Sequence, residues 1–287
     1  MKAVWKHELK MYYSSITAYV FGAFLLMFTG LGALYYNIQS SVANFEYVLS
    51  FISIIFVIII PILTMKVISE ERKQKTDQLL YSLPITTTDV VLGKFFALAC
   101  VYALPLVVMC FYPLLFSRFG DVYLPTSYGS IIAFFFMGLA LITIGMFISS
   151  LTESQGLAAG ICVAVMLFNY YSSSLADYVS STSLGSLIGI IILILLLGLL
   201  IRYLTKSSIL GYSTAGVLLI ASVVLYLVDS EKLEGLLPSL FEKISLFDRF
   251  TVFVNGVFDM TAIVYYISVC AFFLFLCVQS LEKRRYN

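Results

Sequence analysis

The sequence predicts an all-α integral membrane protein, a polytopic helical bundle of about eight transmembrane helices. Three observations predict it. Hydrophobic residues make up 61% of the chain and charged residues 11%, far from the roughly 25% charged residues of a soluble domain. The mean hydropathy is +1.01. The apolar residues fall in runs of spanning length separated by short polar stretches, as a helix crossing a ~30 Å hydrocarbon layer requires. No stretch outside these runs is long enough for a soluble domain, so residues 1–287 read as one transmembrane domain.

Residues 1–15 place Met1, Trp5, Leu9 and Tyr12 on one helical face and Lys2, Lys6 and Lys10 on the other, the pattern of an amphipathic helix lying in the membrane interface. About fifteen such residues before a full-length span, with no small-residue cleavage site, do not read as a cleavable signal peptide. Spans are expected near 16–38, 48–68, 90–117 and 128–151, the second carrying Pro61 and the third Pro105 and Pro113, so both are expected to kink. A tight turn then opens a fifth span at Gln155, with Thr152 and Gln155 in capping-box spacing. Gly156 and Gly160 in that span form a GxxxG, which suits close helix packing; a contact within the chain is the commoner use and a dimer contact the other. Residues 172–183 read as a polar loop, 184–204 and 209–228 as two further spans, and 261–281 as the last. Between them, 229–260 is too polar to span. It spaces Phe241, Ile244, Phe247, Phe250, Val254, Val257 and Phe258 as two short amphipathic helices on the outer surface would.

Lys and Arg are distributed unequally over the two sides. Lys2, Lys6, Lys10, Lys66, Arg72, Lys73, Lys75, Lys94, Arg202, Lys206, Lys283, Arg284 and Arg285 fall on the side of the N-terminus, and only Arg118, Lys232, Lys243 and Arg249 on the other. The positive-inside rule therefore puts both termini in the cytoplasm. The acids divide between the same two sides and none is expected at mid-membrane, which argues against ion-coupled transport. There is no GxxxxGK[ST] phosphate loop, no metal-ligand spacing and no nucleophile arrangement, so the chain is expected neither to bind a cofactor nor to act as an enzyme by itself. His7 has no second His or nearby Cys with which to share a metal, and the five cysteines lie inside predicted spans as small apolar residues. A net charge of +1 gives no nucleic-acid signal.

The exception to this apolar composition is Ser69 to Lys94, SEERKQKTDQLLYSLPITTTDVVLGK. Its first half reads as a short amphipathic helix. Glu71 and Lys75, then Lys73 and Asp77, stand four apart; Leu79, Leu80 and Leu83 form an apolar edge, and Pro84 is the stop. Thr86 and Asp89 then cap a new helix beginning near Thr87. A charged helix held between two spans suits docking into a groove of another protein. A plain solvated loop fits the composition equally well.

Four blocks carry a family resemblance: KHELKMYYSSITAYV from Lys6, PILTMKVISEERKQKTDQLLYSLPITTTDVVLGKFF from Pro61, IGMFISSLTESQ from Ile144, and RFTVFVNGVFDMTAIVYYISVCAFFLFLCVQSLEKRR from Arg249. With them the chain resembles the permease subunits of ABC-2 type transporters, nearest the gliding-motility and copper-enzyme-maturation permease branch. The resemblance implies a six-span core, to which 184–228 adds an extra pair. It implies that 69–88 holds a cytoplasmic coupling helix whose Glu70, Glu71, Arg72, Thr76, Leu79, Leu80 and Pro84 contact an ABC ATPase subunit, supported by the N-terminal helix with Trp5, Lys6 and Lys10. ATP and Mg²⁺ would lie on two copies of that partner. A second permease subunit, identical or related, would complete the complex, with room for an extracytoplasmic accessory protein. The implied activity is export of an amphipathic peptide or lipid-like cargo. A secondary transporter or channel acting alone, or a non-transporting scaffold or sensor that binds an ATPase, is the alternative. Lys75 departs from the pattern, because the family usually has Gly there.

Overall fold

A computed structural model describes residues 1–76, 86–205, 208–228 and 233–285, and among these every regular element is a helix. In chain order they are α1 (Lys2–Ser14), α2 (Ile16–Gly32, continued by a π-turn over Ala33–Gln39), α3 (Glu46–Ser53), α4 (Phe56–Thr64), α5 (Ser69–Gln74), α6 (Thr87–Met109) and α7 (Phe111–Phe116). They continue with α8 (Leu124–Leu151), α9 (Gln155–Tyr178), α10 (Ser183–Thr205), α11 (Ser208–Val228), α12 (Leu236–Ile244), α13 (Leu246–Val254) and α14 (Met260–Arg285). Five helices are long and apolar enough to cross a membrane: Ile16–Gln39, Thr87–Phe116, Leu124–Leu151, Gln155–Tyr178 and Met260–Arg284. The second expected span is broken, its two halves bent by 61°; counted as one crossing it makes six. The all-α polytopic architecture is therefore as the composition predicts.

The break in the second span precedes Pro61 rather than sitting at it. Pro61 has no N–H to give the Val57 carbonyl, and the turn ahead of it tightens into i→i+3 bonds, Val57 N to Ile54 O at 3.2 Å and Ile58 N to Ile55 O at 3.0 Å.

The chain forms two compact units, residues 1–167 with 246–287, and residues 168–245. In the first unit α8 is central: 83% of its most apolar window is buried. An aromatic cluster packs on it. Phe134 lies 4.5 Å from Phe56 and 5.6 Å from Phe250 between ring centroids, and the buried Tyr102 donates its hydroxyl to the Phe134 carbonyl at 2.7 Å. The partner Phe250 comes from α13. That amphipathic helix buries Leu246, Phe247, Phe250 and Phe253 in the unit's core.

In the second unit α10 and α11 pair as an antiparallel hairpin. A Cβ on Gly198 would come within 2.7 Å of Ala215, and one on Gly211 within 2.8 Å of Arg202, so the missing side chains set how closely the two backbones approach. The two helices run 23 and 21 residues, and the apolar parts described within them are Ser183–Leu199 and Gly211–Val224. Residues 172–178, expected in a loop, are the last two turns of α9: Ser172 donates to the Phe241 carbonyl at 2.7 Å and Asn169 to that of Ile244 at 2.9 Å. Partners on α12 thus replace the water that a loop would need.

One further expectation is corrected. The start of α9 is held by Ser154, whose oxygen accepts from Leu157 N at 3.4 Å; the Thr152 hydroxyl accepts from Ser154 N instead of forming a capping box with Gln155. Gly156 and Gly160 are exposed, and among the described residues nothing lies within 4 Å of a Cβ built at either.

Candidate functional site

The first unit gathers charge at the end that carries α1, α5, the start of α6 and the ends of α8 and α14. The N-terminal helix is seated there by a glycine. A Cβ at Gly93 would lie 2.9 Å from Val4 and 3.2 Å from the Trp5 amide nitrogen, so only glycine lets α1 lie directly on α6. The face of α1 turned inward carries Glu8, which is buried, while Lys2, Lys6, His7 and Lys10 remain exposed.

Next to Gly93 stands Lys94, 1% exposed, about two turns inside an apolar helix. Its Nζ donates to Glu8 Oε1 at 2.7 Å and to Glu71 Oε1 at 2.6 Å. Three separate elements, α1, α5 and α6, thus meet on one ammonium. Both carboxylates meet that ammonium, Glu8 from a buried position and Glu71 with 24% of its side chain exposed. The Tyr12 phenol beside the cluster is pushed well above its ordinary pKa, first by desolvation and then by Glu8, Glu71 and Glu70, and remains a neutral hydroxyl. Glu8 and Lys94 are thus buried at this end of the unit. At the other end of the unit Glu46 is buried as well, accepting from Asn44 at 2.8 Å and Ser127 at 3.0 Å.

A second tie fixes α5. The helical path is interrupted over residues 65–68, which frees backbone donors. Ser149 at the end of α8 takes two of them: its Oγ accepts from Ile68 N at 3.2 Å and Ser69 N at 3.1 Å, and it lies 3.2 Å from the Met65 carbonyl, to which it donates. The neighbouring Ser150 carbonyl accepts from the Arg72 guanidinium and, at 3.2 Å, from Ser280 of α14. Thr87 at the first turn of α6 donates to Glu282 of α14 at 2.9 Å.

Of the residues singled out in the sequence, Glu71 and Arg72 are thus turned toward their own chain, while Thr76 is exposed and Glu70 half-buried, accepting from Gln74 at 3.3 Å. Leu79, Leu80 and Pro84, like Asp77, lie outside the described residues. The first helix is shorter than expected. It ends at Gln74, because Lys75 takes the left-handed conformation at φ 58° and closes a Schellman motif, Thr76 N bonding Glu71 O at 3.0 Å and Lys75 N bonding Arg72 O at 3.3 Å. The Glu71–Lys75 ladder is lost with that turn. The positive φ also gives a reason for glycine at this position, namely conformational freedom rather than close approach. Lys75→Gly is expected to stabilise the turn by about 1 kcal/mol, seen as roughly fivefold slower amide exchange at Lys75 and Thr76. The expected cap of α6 is present: Thr86 Oγ1 accepts from Asp89 N at 3.2 Å and α6 begins at Thr87.

Sequence reasoning missed Glu8, Lys94 and Ser149. Glu8 had a signal, since it stands three residues after Trp5 and four before Tyr12, on the apolar face of its helix. Lys94 had a weaker one, four residues from both Val90 and Leu98. Ser149 had none.

Residues 3–179 match the model of a family described as ABC-2 family transporter proteins. The match takes in α1 to α9 and three of the four sequence blocks, and it stops before the α10–α11 hairpin. No curated protein matches the chain.

Proposed function

The chain belongs to the ABC-2 family of transporter proteins, a multi-pass membrane component of an ABC transporter, and on that premise we propose that it is the permease half of an ATP-driven exporter whose power stroke enters through α5. The observation that supports this reading is the ammonium of Lys94 shared by Glu8 and Glu71. Because that contact joins α1 and α5 to the base of α6, a push on α5 would displace a span rather than bend a loop. The Ser149 and Arg72 bonds extend the same connection to α8, the central helix of its unit. Glu71 and Arg72 then act as transmitting residues. Glu70 and Thr76, together with Leu79, Leu80 and Pro84, form the surface offered to the ATPase, which binds ATP and Mg²⁺.

The concentration of Lys and Arg at this end supports a cytoplasmic placement of both termini in a prokaryotic plasma membrane. Two permease subunits would sit over two ATPases, and ATP-driven closure would rock them to open a path outward. The uncovered Gly156 and Gly160 on α9 are suited to the second permease copy. Apolar and aromatic spans favour an amphipathic peptide or lipid-like cargo.

The chain purified in mild detergent from its own membranes is expected to carry a nucleotide-hydrolysing subunit. Glu70→Arg with Thr76→Arg is expected to reduce that association at least tenfold while leaving the chain folded, because the hydrogen bonds of these side chains, Gln74 to Glu70 and Thr76 to the Glu71 carbonyl, stay within the exposed turn of α5. Unchanged association in the variant would remove α5 as the docking element. Cargo movement across vesicles holding this chain alone, without ATP, would favour a secondary transporter or channel.

A further inference from the structure

Lys2, Lys6 and Lys10 form an exposed row on α1, on the side away from Glu8 and the α6 contact. Among the described residues, no carboxylate lies within ion-pair distance of any of the three. Two acids at this end of the unit are engaged elsewhere: Glu8 with Lys94 and Asp89 with the Met1 amine at 3.3 Å.

The depth of this row relative to a bilayer follows from its covalent neighbour. A single residue, Ser15 in extended conformation, separates α1 from α2. At the first turns of α2 the apolar surface is already open, with Ile16 79%, Tyr19 61% and Val20 40% exposed. Such surface belongs against lipid. Tyr13 and Tyr19 meet edge to face across the junction at 6.3 Å, the amphipathic aromatic pairing typical of the headgroup level. The far end of α1 is held against α6, where a Cβ at Gly93 would meet Val4 at 2.9 Å, so the helix cannot swing its lysines away from that boundary.

We infer that the Lys2, Lys6 and Lys10 row is a binding surface for anionic phospholipid headgroups. Three ammonium groups at a four-residue spacing, without counter-ions of their own, complement phosphate groups carrying net negative charge; zwitterionic headgroups offer no such net attraction. Each lysine at an anionic surface favours it by roughly fivefold. The inference rests on the membrane placement of the spans and on no property of the cargo or the ATPase.

Trp5, the chain's sole tryptophan, sits on the same helix and serves as the reporter. The full chain is reconstituted in phosphatidylcholine vesicles doped with either brominated-acyl phosphatidylglycerol or brominated-acyl phosphatidylcholine at equal trace fraction. Quenching of Trp5 is expected to be severalfold stronger with the anionic lipid, and the excess is expected to fall as salt is raised. Lys2→Gln, Lys6→Gln and Lys10→Gln together are expected to abolish the excess while leaving quenching by brominated phosphatidylcholine unchanged. Equal quenching by the two lipids in the unaltered chain would overturn the inference. An excess that persists in the triple variant would do the same, and so would one insensitive to salt. Because no nucleotide or cargo enters the measurement, its failure would leave the permease reading untouched.

Discussion

Replacing Lys94 with methionine is expected to destabilise the chain by about 3–5 kcal/mol. The substitution keeps the length and apolar stem of the side chain but removes the cation shared by Glu8, itself 5% exposed, and Glu71. Glu8 would then stay buried without the cation that offsets its desolvation. Neutralising the two carboxylates too, as Glu8→Gln and Glu71→Gln with Lys94→Met, is expected to recover most of the loss, since a buried ionic cluster exchanged for neutral groups of similar volume is often close to neutral in stability. The strong non-additivity of the series is what distinguishes an ionic cluster from ordinary packing. Unfolding free energies of the single and triple variants, titrated with denaturing detergent in mixed micelles, provide the check. A Lys94→Met chain as stable as its parent would show that the three charges contribute nothing net. On the proposed function, the triple variant should also fold without coupling ATP hydrolysis to cargo movement.

Ser149→Ala removes a single oxygen and is expected to cost about 2–4 kcal/mol, because that oxygen is the acceptor for two buried backbone amides, Ile68 N and Ser69 N. Each stranded donor costs about 1–3 kcal/mol, reduced where the backbone can relax. Ser149→Thr retains the hydroxyl and is expected to restore most of the stability. Faster amide exchange at Ile68 and Ser69 in the alanine variant is the direct readout. Unaltered exchange there would mean that the interrupted helix satisfies these amides without α8.

Much of the fold is legible because the membrane imposes a simple rule: a helix must be long and apolar enough to cross, and its turns must be polar. The expected spans at 16–38, 90–117 and 128–151 accordingly coincide with α2, α6–α7 and α8 within a few residues. Local chemistry was equally readable where one side chain acts on its own turn, as Thr86 does on Asp89 N. It was misread where a neighbour competes, as at Thr152, where the serine two residues later takes the cap. The 61° bend was expected from Pro61, but its position was not, since the proline withdraws a bond from the preceding turn.

The candidate site was legible only in outline. Charge spacing indicated a cytoplasmic helix around Glu70 and Glu71, and the quoted blocks indicated a family whose model matches residues 3–179. That Glu71 reaches Lys94 rather than Lys75 depends on a left-handed residue four positions on and on a glycine that admits α1. By itself the sequence determined the class of protein and the placement of most spans. Only the tertiary structure decided that Glu8, Glu71 and Lys94 share one buried contact. They are separated by 86 and 23 residues along the chain, and no local periodicity carries information across such distances. Packing of α1 and α5 against the base of α6 makes that contact.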